Sequence, residues 1–429
     1  MENKENVLIM GGNIPHRELI LKIKKRGYYT ILVDYLENPV AKDVADLHIQ
    51  ESILDIDKVM EIANKYKPKF IANLCVDRAM VPTAYVCEKL GIHNFVNYEQ
   101  SLNVTDKCRM KQVFFDNEIK TTAFYSVTND TDIDSLSFNY PVVIKPADAS
   151  GSIGVKKILT QQGLYEYLPK AFEISRSGGV VIEEFCDDLE VSIDCFVQNN
   201  EIDILLVRQK MKKKSSDSLV YPLGSIILNE YPCNSGENIK RMARKIVDTF
   251  RLNNTPFFLQ AFINKEGELS MIEFGVRIGG GMSYQIIKSS TGFDIMDAAL
   301  DCYEKKNTKI SYHTPQYIYS TNYIFTNSGI FSHIEGFEDL LSDGTIDKFV
   351  TLAVQGHQSD GIVTSRNKTG YFFIHAENIH TLFEKTRYIV SKLEVMDVQG
   401  KAIMKKELFD ETLNYIEPYY SLNNDTPSI

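Results

Sequence analysis

The 429-residue chain is 44% apolar and carries a net charge of −10, enough apolar area for a sizeable core and too much for wholesale disorder. The acidic balance, with a pI of about 5.4, argues against nucleic acid or an anionic membrane surface as a main partner. No run approaches the ~18 consecutive apolar residues of a membrane span, and the polar opening Met1–Asn6 leads directly into a strand pattern, so no leader is read and a cytoplasmic location is expected.

Residues 6 to about 100 alternate strand and helix patterns. The runs Val7–Met10, Thr30–Val33 and Phe70–Cys75 read as buried strands, and Ile56–Tyr66 and Met80–Leu90 as helices, the latter stopped by Gly91. This is a doubly wound pattern on a parallel sheet. Gly11-Gly12-Asn13 followed by Asp34 is a partial dinucleotide fingerprint; without Gly-x-Gly-x-x-Gly it does not support NAD. A helix is expected from Asp106 to about Asn117, with Thr105 or Asp106 as cap.

The stretch Pro141–Val155 carries more chemistry. An apolar run, Val142–Ile144, ends in Lys145; a loop of small residues, Ala149–Gly154, follows. A strand fixes the ammonium at one point, and Ser150, Gly151, Ser152 and Gly154 let backbone N–H groups approach an anion. Lysine and pliant loop together suit a phosphate, although the P-loop pattern is absent.

Val180–Phe185 reads as a strand ending in the carboxylates Glu183 and Glu184, and Glu190–Asp194 as an alternating strand. The basic run Arg208–Lys214 begins at the end of an alternating strand, and its plain reading is a solvated loop. The apolar runs Phe257–Ile263 and Leu269–Gly275 carry single polar residues, Gln260 and Glu273. Facing each other across a hairpin, an amide oxygen and a carboxylate suit a hard cation such as Mg²⁺. Arg277 can meet phosphate oxygens in a bidentate fork. Toward the end, Gly361–Ile374 reads as a hairpin and His380 to about Leu393 as a helix. The seven cysteines are odd in number and show no Cys-x-x-Cys pair, so reduced thiols are expected; the eight histidines are scattered, which disfavours zinc.

The order lysine, Gly-rich loop, Glu-Glu-Phe, Glu, Gln, Glu, Arg resembles the ATP-grasp superfamily, in particular its carbamoyl-phosphate-synthetase and biotin-carboxylase-like branch, which includes amino-acid ligases. The resemblance runs from Val7 to about Leu408. It implies an α/β fold: an N-terminal Rossmann-like domain (1–104), two α/β ATP-grasp modules (105–190 with the Gly-rich loop, 191–310 with the metal-binding hairpin) and a C-terminal α+β domain (311–429). It implies ATP with Mg²⁺, or Mn²⁺ in its place. Lys107 and Lys145 would contact phosphate, and the region of Lys210 would reach over the phosphates; Glu183, Glu184 and Phe185 would grip the adenine edge, largely through backbone, and Glu190 the ribose hydroxyls. Gln260 and Glu273 would hold metal, and Arg277 phosphate and the acyl-phosphate intermediate. The superfamily's common third metal ligand, an Asn two residues beyond the glutamate, is here Gly275.

These residues imply an ADP-forming carboxylate–amine ligase. Phosphorylation of a carboxylate supplies a leaving group that an amine displaces, and the protein mainly positions reactants and neutralises charge. Small-molecule acid and amine are the expected partners, and a homodimer is admitted. The alternatives are a bicarbonate-activating or carbamoyl-phosphate-forming enzyme, and an ATP-binding protein without catalysis.

Overall fold

The computed structural model describes residues 4–212, 222–227, 231–364, 367–410 and 413. The first unit is a parallel sheet in the order Leu47–Gln50, Tyr29–Asp34, Asn6–Met10, Phe70–Ala72. Val7 to Met10 are fully buried on both faces, as helix-covered parallel strands must be. The helices Ile56–Tyr66 and Met80–Leu90 occupy the spans their periodicity predicts. Asp55 caps the first by accepting the Lys58 N–H, and Gly91, at φ +68°, ends the second. Asn97 and Gln100 form a capping box on Tyr98–Thr105, which leads into helix Lys107–Asp116, capped by Asp106.

The second unit is an antiparallel sheet ordered Phe124–Val127, Val180–Glu184, Val142–Pro146, Lys156–Ile158. Helix Gln161–Ile174 packs Leu164, Leu168 and Ala171 into its core. The Gly-rich loop is thus the turn between two paired strands.

The third is an eight-stranded sheet in the order Leu269–Gly275, Thr255–Ile263, Leu189–Gln198, Glu201–Lys212, Pro222–Ile227, Ile318–Ile324, Gly370–Ala376, Lys348–Thr351. It runs through the boundary expected at 310, because Ile318–Ile324 pairs directly with Pro222–Ile227. On Leu189–Gln198, Val191, Ile193, Cys195 and Val197 enter the core against helix Gly236–Phe250, so Glu190, Ser192 and Asp194 take the opposite face.

Two expectations need correction. The run from Arg208 is not a solvated loop: strand Glu201–Lys212 continues through Lys212, and Arg208 is buried in an ion pair with Asp194, Nε to Oδ2 at 2.9 Å. Lys213 and Lys214 lie outside the described residues. Nor is 361–374 a hairpin. Among the described residues of that stretch only Gly370–Ala376 is a strand, and its partners are Ile318–Ile324 and Lys348–Thr351.

Candidate functional site

A cavity of about 920 Å³ opens between the four-stranded and eight-stranded antiparallel sheets and the parallel domain. Two β-bulges aim its side chains. On Leu269–Gly275 the register slips so that Ala261 faces Met271 while Gln260 faces Glu273. Leu269 and Met271 enter the core before the slip, and Phe274 and Val276 after it. Without the bulge, strict alternation would turn Glu273 into the core with Met271. The second bulge, between Ile204 and Leu206, sets Arg208, Lys210 and Lys212 on the cavity side. Across the sheet Glu273, Gln260, Ser192 and Arg208 then form one row.

Lys107 stands at the first turn of its helix. Its Nζ donates to the Ala149 carbonyl at 2.6 Å and lies 3.6 Å from Glu273 Oε2, bridging the Gly-rich loop and the hairpin. Lys145 reaches the cavity from its strand end and is ion-paired with Glu183. Burial pulls Lys145 down, but Glu183, Glu273 and Glu190 outweigh it and hold the ammonium above the usual lysine range. Glu183 is itself buried. Its second oxygen meets Lys111 at 2.7 Å and accepts from Thr122 Oγ1 at 2.9 Å. Burial pushes Glu183 up, yet the two lysines bring it to about 2. Lys111 is held below the usual lysine range, chiefly by burial.

Glu183 borders the cavity with its carboxylate committed to two lysines, which leaves its backbone as the part that could meet an adenine edge. Glu184 lines the cavity and accepts from Asn139 at 2.9 Å. The Glu184 and Phe185 N–H groups donate to the carbonyls of Ala123 and Pro141, and Lys157 lies 3.8 Å over the Phe185 ring centroid. Glu190 lines the cavity and is ion-paired with Lys212; burial raises it, but Lys212 and Lys210 lower it further.

Ser150, Gly151 and Ser152 line the cavity, and Gly151 and Ser152 have positive φ. Gly154 does not line it. A Cβ there would stand 2.7 Å from Pro146 Cγ and 2.8 Å from Ile174 Cδ1, so this glycine closes the loop onto its own module.

Arg277 is gripped by Asp77 of the parallel domain, Nη2 to Oδ2 at 2.5 Å, and its guanidinium lies 4.7 Å over the Phe258 ring centroid. That ring also explains Gly275: a Cβ at 275 would stand 2.5 Å from Phe258 Cε1. A larger residue is excluded where the superfamily's third ligand would sit. Among the described residues no three His, Cys, Asp or Glu side chains gather as a metal cluster. The donor set Gln260 and Glu273 still fits Mg²⁺, which takes few protein oxygens and completes its shell with water and phosphate. Both face the cavity in register.

Several cavity residues escaped sequence reasoning: Lys212, Asp77, Arg78, Tyr323 and Lys368. Arg208, Lys210 and Lys212 alternate at i, i+2, a signal that could have placed Lys212 beside Lys210. For Tyr323 and Lys368 no local signal exists.

Residues 138–285 match the family model for an ATP-grasp domain. The L-arginine-specific L-amino acid ligase of Bacillus subtilis is 23% identical over 268 residues, covering 61% of this chain and 63% of that protein. The match thus spans less than two thirds of that relative. In structure, the L-amino acid ligase from Bacillus licheniformis superposes with a TM-score of 0.76 at 18% identity, covering 92% of this chain and all of that one. The biotin carboxylase domain of Hydrogenobacter thermophilus 2-oxoglutarate carboxylase, solved with MgADP, ADP and bicarbonate, gives a TM-score of 0.72 at 14% identity and covers 97% and 98%. Among the described residues no helix is long and apolar enough to cross a membrane.

Proposed function

We propose that this chain, a member of the ATP-grasp superfamily, joins a carboxylate to an amine through an acyl phosphate and releases ADP and phosphate. One observation carries this reading: Lys107, Lys145, the 150–152 loop, Gln260, Glu273 and Arg277 converge on a single cavity with room for a nucleotide and a small acid.

In this reading a substrate carboxylate oxygen attacks the γ-phosphorus and the bond to the ADP oxygen breaks. The amine nitrogen then attacks the carbonyl carbon, loses a proton, and phosphate departs. Lys107 and Lys145 offset negative charge on the phosphates, and the N–H groups of the loop meet phosphate oxygens. Gln260 and Glu273 would hold Mg²⁺, which when bound adds neutralisation at the phosphate oxygens. Lys107, so near Glu273, keeps that carboxylate turned inward until a cation arrives. Glu190, braced by Lys212, is positioned to accept from ribose hydroxyls. Arg277, held flat by Asp77 and Phe258, presents its remaining N–H groups to the acyl phosphate.

The test is ADP release across pairs of acids and amines. Release that requires both supports the ligase; release with bicarbonate alone, or tight ATP binding with no turnover on any pair, overturns it. In Glu273→Gln the magnesium requirement shifts to much higher concentration; an unchanged magnesium curve rejects the metal role.

A further inference from the structure

Lys111 stands behind the cavity wall and not in it. It follows Lys107 by four residues, on the same face of the helix. Its side chain is 3% exposed, against 14% for Lys145. Glu183 lies between the two ammonium groups, with Lys145 on Oε1 and Lys111 on Oε2. Lys145 and Glu183 line the cavity, so Lys145 is the exposed end of the trio and Lys111 its enclosed end.

Four oxygens surround the Lys111 nitrogen: Glu183 Oε2 at 2.7 Å, Thr121 Oγ1, Thr122 Oγ1 at 3.3 Å and the Met271 carbonyl at 3.4 Å. All of them face it as acceptors. The Thr121 hydroxyl donates to the Met271 carbonyl at 2.6 Å and the Thr122 hydroxyl to Glu183 Oε2 at 2.9 Å, so neither has a proton for the nitrogen. A neutral amine would leave its lone pair unanswered here, whereas each ammonium proton finds an oxygen. Burial pulls Lys111 below the usual lysine range, and Glu183 is the first of the groups that oppose it. Two ammonium groups and one carboxylate leave a net of one positive charge. One lysine would already balance Glu183. A second, enclosed lysine is costly, and an apolar side chain would fill the same space. The surplus charge is felt in the cavity, through Lys145.

We infer that Lys111 is a positioning residue for the nucleotide phosphates: from behind, it answers the Glu183 carboxylate, so that Glu183 fixes where Lys145 stands without cancelling the charge that Lys145 presents to phosphate. This rests on the reading of the cavity as a nucleotide site and adds a residue that lies outside the cavity wall. Without Lys111, Lys145 and Glu183 become a neutral pair, and the phosphates lose one positive charge in a setting that solvent screens little.

The test is a charge series, read by calorimetry as the preference for a non-hydrolysable ATP analogue over AMP, each with Mg²⁺. AMP lacks the outer phosphates, so the ratio isolates their contribution. Lys111→Met takes the trio to neutral, Glu183→Gln takes it to two positive charges, and the double variant restores one. The preference should fall by roughly 10-fold in Lys111→Met, rise in Glu183→Gln and return to near wild type in the double variant, while Lys111→Arg retains most of it. A purely structural Lys111 predicts the opposite for the double variant, which has lost two buried partners and would be the most impaired of the series. Should Lys111→Met not fold, Glu183→Gln decides: a preference that does not rise overturns the role. An unchanged preference in Lys111→Met, or a double variant no better than that single variant, overturns the role while leaving the nucleotide site intact. A wild-type protein that binds neither nucleotide overturns the site and the role together.

Discussion

Replacing Glu183 with Gln removes a buried charge between two lysines and leaves the shape almost unchanged. Glu183 and the Lys111 side chain are each 3% exposed, and Lys145 14%, so solvent screens the trio little. A carboxyl brought from 4.5 to about 2 is worth about 3 kcal/mol to folding at neutral pH, at about 1.4 kcal/mol per pH unit. Breaking one side of a buried pair typically costs about 3–5 kcal/mol, and the two figures agree. Because Glu183 is depressed, its contribution is complete above about pH 4.5 and fades as pH falls toward about 2; by pH 3 about 2 kcal/mol of it is gone. Urea unfolding of wild type and Glu183→Gln should therefore differ by about 3 kcal/mol at pH 7 and by about 1 kcal/mol at pH 3. Lys111 keeps hydrogen bonds to Thr122 Oγ1 and the Met271 carbonyl, at 3.3 and 3.4 Å, which places the variant at the lower end of the range. A difference under about 1 kcal/mol at pH 7, or one that does not shrink with acid, refutes the picture of an ionised Glu183 holding the trio together.

Lys145→Ala should lower turnover by ~10²–10³ while costing less stability than Glu183→Gln, since Lys111 still answers Glu183; steady-state rates beside urea curves check both halves. Gly275→Asn should destabilise by about 1–3 kcal/mol through its clash with Phe258, and adding Phe258→Ala should recover part of that; a stable Gly275→Asn single variant would mean the ring yields freely. Residues 147–155 should exchange amide hydrogens more slowly with a non-hydrolysable ATP analogue and Mg²⁺ than with ADP, and fastest when free, because phosphate oxygens would add hydrogen bonds to the loop. Equal protection in all three states would remove the lid role.

The parallel domain was legible because its signals are local: apolar runs for the strands, 3.6-residue periodicity for the helices, Gly91 for a stop. Lys145 and its loop were legible for the same reason, since a strand end and a glycine turn are contiguous in sequence. Glu183 was read as a strand-end carboxylate, but the buried trio it forms with two lysines was not foreseen. Its partner Lys111 lies on another element, and only packing reveals that the two meet. Gly154 likewise looked like its neighbours in the loop, while the pressure that fixes it comes from Pro146 and Ile174.

What the sequence conceals most completely is the pair of bulges. Alternation alone would send Glu273 into the core with Leu269 and Met271. One additional residue at Ile272 reverses the faces, so that Glu273 meets the cavity while Phe274 and Val276 pack behind it. On Glu201–Lys212 the irregularity near Leu205 works the same way: Ile202 and Ile204 pack on one side, then Arg208, Lys210 and Lys212 turn to the other. A bulge costs one ladder position and exchanges a strand's faces from that point on. Here two of them build a charged cavity from strands whose first halves are needed for core. Tyr323 joins because Ile318–Ile324 extends the same sheet, more than a hundred residues after Lys210, and Lys368 because it leads into the next strand, Gly370–Ala376. The groups argued to contact phosphate thus lie largely within the matched segment, Lys107 being the exception, while the cavity wall is completed by Asp77 and Arg78 before it and Tyr323 and Lys368 after it.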